Sequence, residues 1–255
     1  MKLISSNIIG QGRKDLIILH GFLGMGDNWK SYAIKFSNIG FKVHLIDQRN
    51  HGRSFWDKQF NYKTLANDLF NYINYYKINK PIVLGHSMGG KTAMKLSFDF
   101  PEIIKKLIIV DIVPKKYDTS YIDILKGLAH LDFNQLRTRS SVDIELLKFV
   151  KEKSIRQFLL KNLYWKTKEK LTLRLNINVL KNSVNEVSEF PNITHKYKGN
   201  SLFLFGENSE YYSENDDVII RKFFSNSKIS IIRNASHWLH VENPKDFFKE
   251  IIDWI

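Results

Sequence analysis

The sequence predicts an α/β protein in which a mostly parallel central sheet is covered by helices on both faces. Short apolar runs alternate along the chain with longer segments of helical periodicity. This alternation is typical of strand–helix–strand units, whose crossover helices cover both faces of the sheet. It stops near Pro114 and resumes near Pro191. We therefore expect a core formed by residues 1–114 and 192–255, interrupted by a helical cap insertion over residues 115–191.

The first half of the core contains four predicted strands and three predicted helices. DLIILHGF, KVHLIDQ, PIVLGHS and KKLIIVDIV are nearly continuous apolar runs, as expected for strands buried on both faces. YKTLANDLFNYINYYKI repeats Leu65, Leu69 and Ile73 on one helical face, and Tyr76 continues that face. The predicted strands are 15–22, 42–48, 81–87 and 105–113, and the predicted helices are 28–40, 62–78 and 88–100.

The insertion and the second half of the core follow from the same two patterns. YIDILKGLAHL, DIELLKFVKEKSIRQFLLKNLYW and KLTLRLNINVLKNSV are helix-like, and the insertion contains no clear strand. Beyond it, strands are predicted at 201–208 and 228–234, and helices near 217–224 and at 244–255. Ligand sites in open α/β sheets lie beyond the carboxyl ends of the strands. The residues that follow each strand are therefore the candidates for chemistry.

A serine between glycines follows the third predicted strand. The pattern GHSMG, residues 85–89, lies directly between a strand and a helix, which is the context of a nucleophile elbow. A turn this tight leaves no room for side chains at its flanking positions, and the following helix directs its N-terminal amides at developing negative charge. A glycine-rich turn that binds phosphate has a similar pattern. The assignment of Ser87 as a nucleophile therefore depends on its partners.

A serine hydroxyl needs a base to remove its proton, and histidine is the usual one. The stretch NASHWLHVENP follows the last predicted strand and offers His237 and His240. His237 comes directly after the strand end, where a loop can bring the imidazole over the elbow, so we assign it as the base. His240 lies one turn further on and is expected to be structural. His20 and His86 flank the motif residues and are expected to brace loops.

The acid that orients the histidine has two candidate positions. The strand KKLIIVDIV ends in Asp111, and an aspartate at such an apolar strand end requires a buried partner, which the catalytic histidine would be. The alternative lies after the strand SLFLFGEN, where the chain offers Glu207 and Glu210 but no aspartate until Asp216. We favour Asp111, with Glu207 or Glu210 as substitutes. An aspartate that merely caps a nearby helix is the remaining alternative.

Two backbone amides are candidates for an oxyanion hole. One belongs to Met88, the residue after the nucleophile, and the other to Phe22, in the loop after the first predicted strand. Gly21 and Gly24 give this loop the freedom to direct its amides. No cofactor and no metal is needed by this set of residues.

Composition excludes several classes of function. The 255 residues contain no cysteine, which rules out disulfides, thiolate metal sites and a cysteine nucleophile. We see no signal peptide and no apolar run long enough to span a membrane, so we expect a cytoplasmic protein without a membrane partner. The formal net charge is +13, but the lysines are scattered and accompany a general excess of Lys, Asn and Ile. We therefore expect no nucleic-acid partner, although the charge could attract anionic substrates.

The motifs together resemble those of a known family. HGFLG, DQRNHGRS, GHSMGGKTAM, VDIVP, FGENSEY and SHWLHVENP are similar to the motifs of α/β-hydrolase-fold serine hydrolases, and more narrowly of the bacterial YbfF-type esterases and mitochondrial ABHD11-like hydrolases. The resemblance covers nearly the whole chain. It implies hydrolysis of short acyl esters, with acyl-CoA thioesters as a further substrate class. It also supports Asp111 as the acid and makes DQRNHGRS a scaffold turn near the site.

The predicted function is therefore a serine esterase or thioesterase that acts on a small-molecule acyl substrate through Ser87, His237 and Asp111. A cofactor-free haloperoxidase-like activity and a non-catalytic binding protein on the same scaffold are the alternatives. The acyl group, the leaving group and the oligomeric state are left open by the sequence. The insertion is rich in lysine, and it supplies apolar residues that we expect to line an acyl slot: Leu125, Leu128, Phe158, Leu159 and Trp165.

Overall fold

A seven-stranded sheet runs through the middle of the computed structural model, which describes residues 2–118, 121–191 and 193–255. Two further strands pair with each other as a separate hairpin. In chain order, the strands are β1 (Ser6–Ile9), β2 (Lys14–Leu19), β3 (Phe41–Ile46), β4 (Ile82–His86), β5 (Lys106–Val110), β6 (Leu163–Trp165), β7 (Leu171–Leu173), β8 (Ser201–Gly206) and β9 (Ser227–Ile232).

Six of the seven strands of the large sheet run parallel to one another. The strand order is β1-β3-β2-β4-β5-β8-β9, and only β1, at one edge, is antiparallel to its neighbour β3. The predicted mostly parallel sheet is confirmed. The carboxyl ends of β4 and β5 lie side by side at the centre of the sheet, which is where a crevice for a ligand is expected.

Helices cover both faces of this sheet. One apolar cluster packs α2, α3 and α9 on the first face, and a second packs α1 and α11 on the other. In chain order, the helices are α1 (Lys30–Asn38), α2 (Tyr62–Tyr75), α3 (Met88–Asp99), α4 (Ile122–His130), α5 (Arg139–Leu147), α6 (Lys153–Leu160), α7 (Ile177–Asn182), α8 (Val184–Ser188), α9 (Asp216–Phe223), α10 (Leu239–Glu242) and α11 (Pro244–Trp254).

The elements α4 to α8 and the hairpin β6–β7 lie between β5 and β8, and we call them the cap. The expectation that this segment holds no strand is wrong, because Leu163–Trp165 pairs antiparallel with Leu171–Leu173. Leu171 and Leu173 are buried while Thr172 between them is partly exposed, which is the alternation of a strand rather than of a helix. The turn between the two strands is polar and contains Lys168 and Glu169.

The long helix expected in the middle of the cap is two helices. The chain leaves α5 after Leu147 and enters α6 at Lys153. Arg156 fixes this break, because its guanidinium donates to the carbonyls of Val150 (3.0 Å) and Lys151 (2.8 Å) and to the Asp143 carboxylate (2.7 Å). Carbonyl groups that accept from an arginine side chain cannot also accept the amide hydrogen bonds that would continue the helix. The amphipathic pattern of the sequence therefore continues from α5 into α6, although the backbone bends between them.

Two local expectations in the core need correction. The edge strand β1 is not among the predicted strands, since SNII is too short and too near the start to stand out as a pattern. The apolar face of α2 contains Tyr72, which is fully buried, whereas Tyr76 lies beyond the last helical turn and is 48% exposed. In the described part of the chain, no helix is both long enough and apolar enough to cross a bilayer.

Candidate active site

Ser87 sits at the sharp turn from β4 into α3. Its φ is 51° and its ψ is −117°, a conformation that costs a non-glycine residue free energy and is found at functional sites. The turn brings helix and sheet so close that a Cβ atom on Gly85 would lie 2.2 Å from the Gly89 carbonyl oxygen. A Cβ atom on Gly89 would lie 2.5 Å from the Leu19 carbonyl oxygen of β2. Both glycines are therefore required by this turn.

His237 and Asp111 meet beside this turn. His237 Nδ1 lies 2.7 Å from Asp111 Oδ2, although the two residues are 126 positions apart in the sequence. Asp111 follows β5, is completely buried and has a φ of 52°, which turns its side chain away from the strand direction and towards β8. His237 follows β9 and is partly exposed, and it lines the same cavity as Ser87. The structure thus brings the three predicted residues to one end of the sheet.

The Asp111 carboxylate has two more hydrogen-bond donors, both from the end of β8. The Gly206 amide donates to Oδ1 at 3.0 Å, and the Ser209 hydroxyl donates to Oδ2 at 2.5 Å. Hydrogen bonds to the charged form stabilise a buried carboxylate. The two substitutes for the acid point elsewhere, because Glu207 is exposed and accepts from the Asn234 amide at 2.8 Å, and Glu210 is exposed.

Ser209 and Tyr211 belong to the segment FGENSEY but were not among the predicted site residues. The Tyr211 ring stacks on the His237 imidazole, with 4.0 Å between ring centroids and 19° between planes. The Tyr211 amide donates to the Ser209 hydroxyl oxygen at 3.1 Å. The same short segment therefore contacts both Asp111 and His237. The one signal in the sequence for a role of these two residues was their position next to Glu207 and Glu210, where an acid was considered.

The loop after β2 passes next to Ser87. A Cβ atom on Gly21 would lie 3.4 Å from the Ser87 Cβ atom. Leu23 has a φ of 61°, and its amide donates to His51 Nε2 at 3.2 Å, which holds the loop in place. Among the described residues, the amides of Phe22 and Met88 have no acceptor within the protein. They are the two predicted oxyanion donors, and both are free to bind a ligand oxygen.

Four further histidines are buried around this loop and turn. His20 Nε2 accepts from the Gln48 amide at 3.0 Å, and His86 Nε2 lies 3.0 Å from the His237 carbonyl oxygen. His240 stacks on Trp29 with 4.2 Å between ring centroids, so its expected structural role agrees with its position. Burial lowers the pKa of His20 to about 4 and the pKa values of His51 and His240 to about 3, and it lowers the pKa of His86 as well. These imidazoles are neutral at pH 7.

The scaffold turn predicted at residues 47–54 braces the same loop. The Asp47 carboxylate accepts from the Gly26 amide at 2.7 Å and from the Arg53 amide at 2.8 Å. A Cβ atom on Gly52 would lie 2.1 Å from the Asp47 Cγ atom, and Gly52 has a φ of 58°. The Asp47 side chain therefore links this turn to the loop that leads into α1, which is a structural role.

A cavity of about 600 Å³ opens above Ser87 and His237. The cap contributes a mostly apolar wall, to which Trp238 of the core adds its ring at 5.4 Å from that of Phe158. Of the five residues expected to form an acyl slot, Phe158 and Leu159 line the cavity, whereas Leu125 and Leu128 pack within the cap and Trp165 is 55% exposed. The cap residues that line it are Tyr121, Ile124, Ser154, Ile155, Gln157, Phe158, Leu159 and Lys161.

The family model for the alpha/beta hydrolase fold matches residues 15–244. The chain belongs to the α/β-hydrolase family. This agrees with the elbow, the strand order and the cap described above.

Three similar proteins illustrate the match. The sn-1-specific diacylglycerol lipase ABHD11 of Danio rerio is 35% identical over 247 residues, which cover 94% of this chain and 78% of the relative. Esterase YbfF of Escherichia coli is 30% identical over 242 residues, which cover 92% of this chain and 91% of the relative. A solved structure of a marine microorganism esterase has a TM-score of 0.96 at 34% identity and covers both chains completely.

The predicted resemblance to YbfF-type and ABHD11-like α/β-hydrolases is therefore confirmed. The prediction of a serine hydrolase enzyme is confirmed as well, since these relatives are named esterases and lipases. Among the described residues, no group of three or more His, Asp or Glu side chains is placed to hold a metal ion.

The buried neutral histidines predict a loss of stability in acid. A base whose pKa is lower in the folded state binds its proton in the unfolded state first, so the free energy of unfolding falls as pH drops from about 6.5 towards the folded pKa. For His240, with a folded pKa of about 3, this amounts to about 1.4 kcal/mol per pH unit below pH 6. We expect His240→Phe, which keeps an aromatic ring on Trp29, to take up close to one proton fewer on unfolding and so to show a shallower slope of unfolding free energy against pH.

Urea unfolding between pH 4.5 and 7.5 measures this effect. Val241→Ala is the matched control, because it changes the next residue of the same helix, which is exposed and has no titratable group. An unchanged slope of unfolding free energy against pH in His240→Phe contradicts the assignment of His240 as a buried neutral base.

Proposed function

We propose that this chain hydrolyses carboxylic acyl esters, and acyl thioesters as a further class, through a Ser87–His237–Asp111 triad. The observation that carries the proposal is the 2.7 Å contact between His237 Nδ1 and the buried Asp111, at the edge of the cavity that Ser87 also lines. A buried aspartate that holds an imidazole beside a serine elbow is the arrangement that acyl transfer requires. The esterase and lipase names of the relatives support the ester class.

In this mechanism, Ser87 Oγ bonds to the acyl carbon while His237 Nε2 takes the hydroxyl proton. The imidazolium that forms is stabilised by the Asp111 carboxylate at Nδ1 and by the face of the Tyr211 ring, which favours a cation. The imidazolium then donates its proton to the leaving alcohol or thiol as the bond to that group breaks. Water repeats the sequence on the acyl-enzyme and releases the acid.

The tetrahedral intermediate carries a negative oxygen, which needs donors that are already in place. The Phe22 and Met88 amides are proposed for this role, because both lack protein acceptors among the described residues and flank Ser87. Met88 also begins α3, so the partial positive charge of the helix N-terminus adds to the same field. A single such donor contributes a factor of about 10² to 10³ in turnover.

The cavity supports a small acyl substrate. Its wall is mostly apolar on the cap side, where Ile155 and Phe158 face it, and an apolar wall of this kind accommodates an aliphatic acyl chain. Lys161 is the one cap lysine among the residues that line the cavity. We expect its charge to favour leaving groups that carry phosphate, such as those of acyl-CoA thioesters. A cytoplasmic location fits such substrates and stays a prediction.

Ser87→Ala tests the nucleophile. Removing the hydroxyl removes the only atom that forms the acyl-enzyme, so we expect loss of labelling by a fluorophosphonate probe and a decrease in ester turnover of several orders of magnitude. Mass spectrometry of the labelled wild-type protein should place the probe on Ser87. Full turnover in Ser87→Ala is incompatible with this mechanism.

Substitutions at the three acidic candidates test the acid. Asp111→Asn should lower turnover by about 10⁴-fold, because an amide at this position favours the wrong imidazole tautomer. Glu207→Gln and Glu210→Gln are matched controls, since both side chains are exposed and we expect turnover within a factor of a few of wild type. Circular dichroism checks that each variant is folded. A near-normal Asp111→Asn beside an inactive glutamine variant would reverse the assignment.

Salt dependence tests the anionic substrates. The screening length falls from about 10 Å at 0.1 M salt to about 3 Å at 1 M, so a charge-assisted encounter weakens over this range. We expect kcat/KM for an acyl-CoA to fall more steeply than for a neutral ester of the same acyl chain, and Lys161→Gln to narrow the difference. Lys126→Gln, on α4 and away from the cavity, is the control. Parallel salt curves for the two substrates indicate that the surface lysines only solvate the helices.

A further inference from the structure

Lys91 is a buried lysine one helical turn after Ser87. It is 1% exposed, and among the described residues no carboxylate lies within ion-pair distance of its amino group. Lysine is almost never fully buried unless it is paired, because its ammonium loses its hydration. Burial lowers the pKa of Lys91 to about 7. A methionine would fill a similar volume without this cost, so the amino group must be needed for its hydrogen bonds.

The acceptors of Lys91 are three consecutive carbonyl groups where the cap returns to the core. The distances from Nζ are 2.7 Å to the Ser188 oxygen, 2.9 Å to the Glu189 oxygen and 3.4 Å to the Val187 oxygen. These carbonyls belong to the last turn of α8 and the residue after it, where a helix leaves its carbonyl groups unpaired. Tyr62, at the start of α2, adds a hydroxyl that donates to the Val187 oxygen at 2.7 Å.

The chain that leads from the core into the cap passes the same point. The Tyr117 amide donates to the Ser188 oxygen at 3.1 Å, and Lys91 Nζ lies 5.1 Å from the centre of the Tyr117 ring. Both connections between core and cap, residues 114–118 and 187–191, therefore meet at one amino group on the nucleophile helix. Elsewhere, the cap contacts the core through an apolar cluster that includes Phe22 and Met88, and through hydrogen bonds of Asn162 to the Leu23 carbonyl oxygen (2.8 Å) and of Asn176 to Asn50 (3.0 Å).

Tyr117 links this point to the candidate catalytic residues. Its hydroxyl accepts from the Val113 amide at 2.8 Å and donates to the Tyr211 carbonyl oxygen at 2.7 Å. Tyr211 in turn stacks on His237. A shift of the cap at Lys91 would therefore move the residue that stacks on the imidazole as well as the cavity wall.

We infer that Lys91 is a positioning residue whose amino group anchors both connections of the cap to the nucleophile helix and thereby sets which acyl chains the cavity accepts. The specificity part rests on the proposed ester hydrolysis, whereas the anchoring does not. Apolar contacts hold two surfaces together without fixing their relative position, and buried directional hydrogen bonds supply what they lack.

Hydrogen exchange tests the anchor without reference to activity. In Lys91→Met we expect amides in 113–118 and 184–191, including that of Tyr117, to exchange at least tenfold faster, while amides of β4 and β5 keep their rates. Lys95→Met is the matched control, because Lys95 is on the same helix and, among the described residues, its ion pair is with Asp99 of that helix. Tyr62→Phe removes one donor to Val187 and should give a smaller change in the same segments. Wild-type rates in those segments in both Lys91→Met and Tyr62→Phe overturn the inference.

An ester series tests the specificity. With p-nitrophenyl esters from acetate to decanoate, we expect Lys91→Met to raise KM most for the longer chains, so that the kcat/KM ratio of octanoate to acetate changes at least fivefold. Lys95→Met should keep the wild-type ratio. A wild-type ratio in Lys91→Met overturns the specificity role even where exchange is faster. Failure of the proposed function has a different signature, namely ester turnover that survives in Ser87→Ala.

Discussion

The close approach of α3 to the sheet at Ser87 is the constraint on which the rest of the site depends. Gly85 and Gly89 leave space that backbone oxygens of Gly89 and Leu19 occupy, so the helix begins against β2 instead of above it. This contact forces the unusual backbone of Ser87 and directs its side chain out of the sheet. It also places the Met88 amide beside the loop that carries Phe22. Substitution of either glycine would move the serine together with the proposed oxyanion donors.

The position of Asp111 after β5 determines which groups the loop after β8 contributes to the site. Because Asp111 follows β5, the loop after β8 does not have to supply the partner of His237, and it instead supplies donors and an aromatic face from Gly206, Ser209 and Tyr211. The other imidazoles near the site are buried and neutral, so a positive charge on His237 in the proposed mechanism would meet the Asp111 carboxylate and no competing cation among these imidazoles. In the proposed mechanism, Asp111 would therefore stabilise the imidazolium without repulsion from these neighbours.

Features that a local motif or periodicity marks could be predicted, and features marked only by a contact with a distant residue could not. The parallel sheet, the elbow and the Asp111 and His237 positions all follow from a motif at a strand end. Hairpin β6–β7 was missed because its strands have three residues each, which is too short for a period to emerge. Ser209 and Lys91 were missed for another reason, since their partners lie 98 and 97 positions away. Nothing in KTAMK distinguishes Lys91, which is buried, from Lys95, which pairs with Asp99 at the helix surface.

The contrast between those two lysines also bears on how a cap of this kind keeps its orientation. The chain carries a net charge of +13, and nearly all of its lysines keep their amino groups hydrated at the surface. Lys91 gives up that hydration where the two cap connections meet beside α3. Apolar contacts alone would allow a range of cap positions relative to the core, and the cavity between cap and core would have a different shape in each position. A buried donor that three carbonyl groups share adds directional hydrogen bonds at the cap connections to those that Asn162 and Asn176 make with the core. The shape of the cavity is thereby tied to the helix that begins after Ser87.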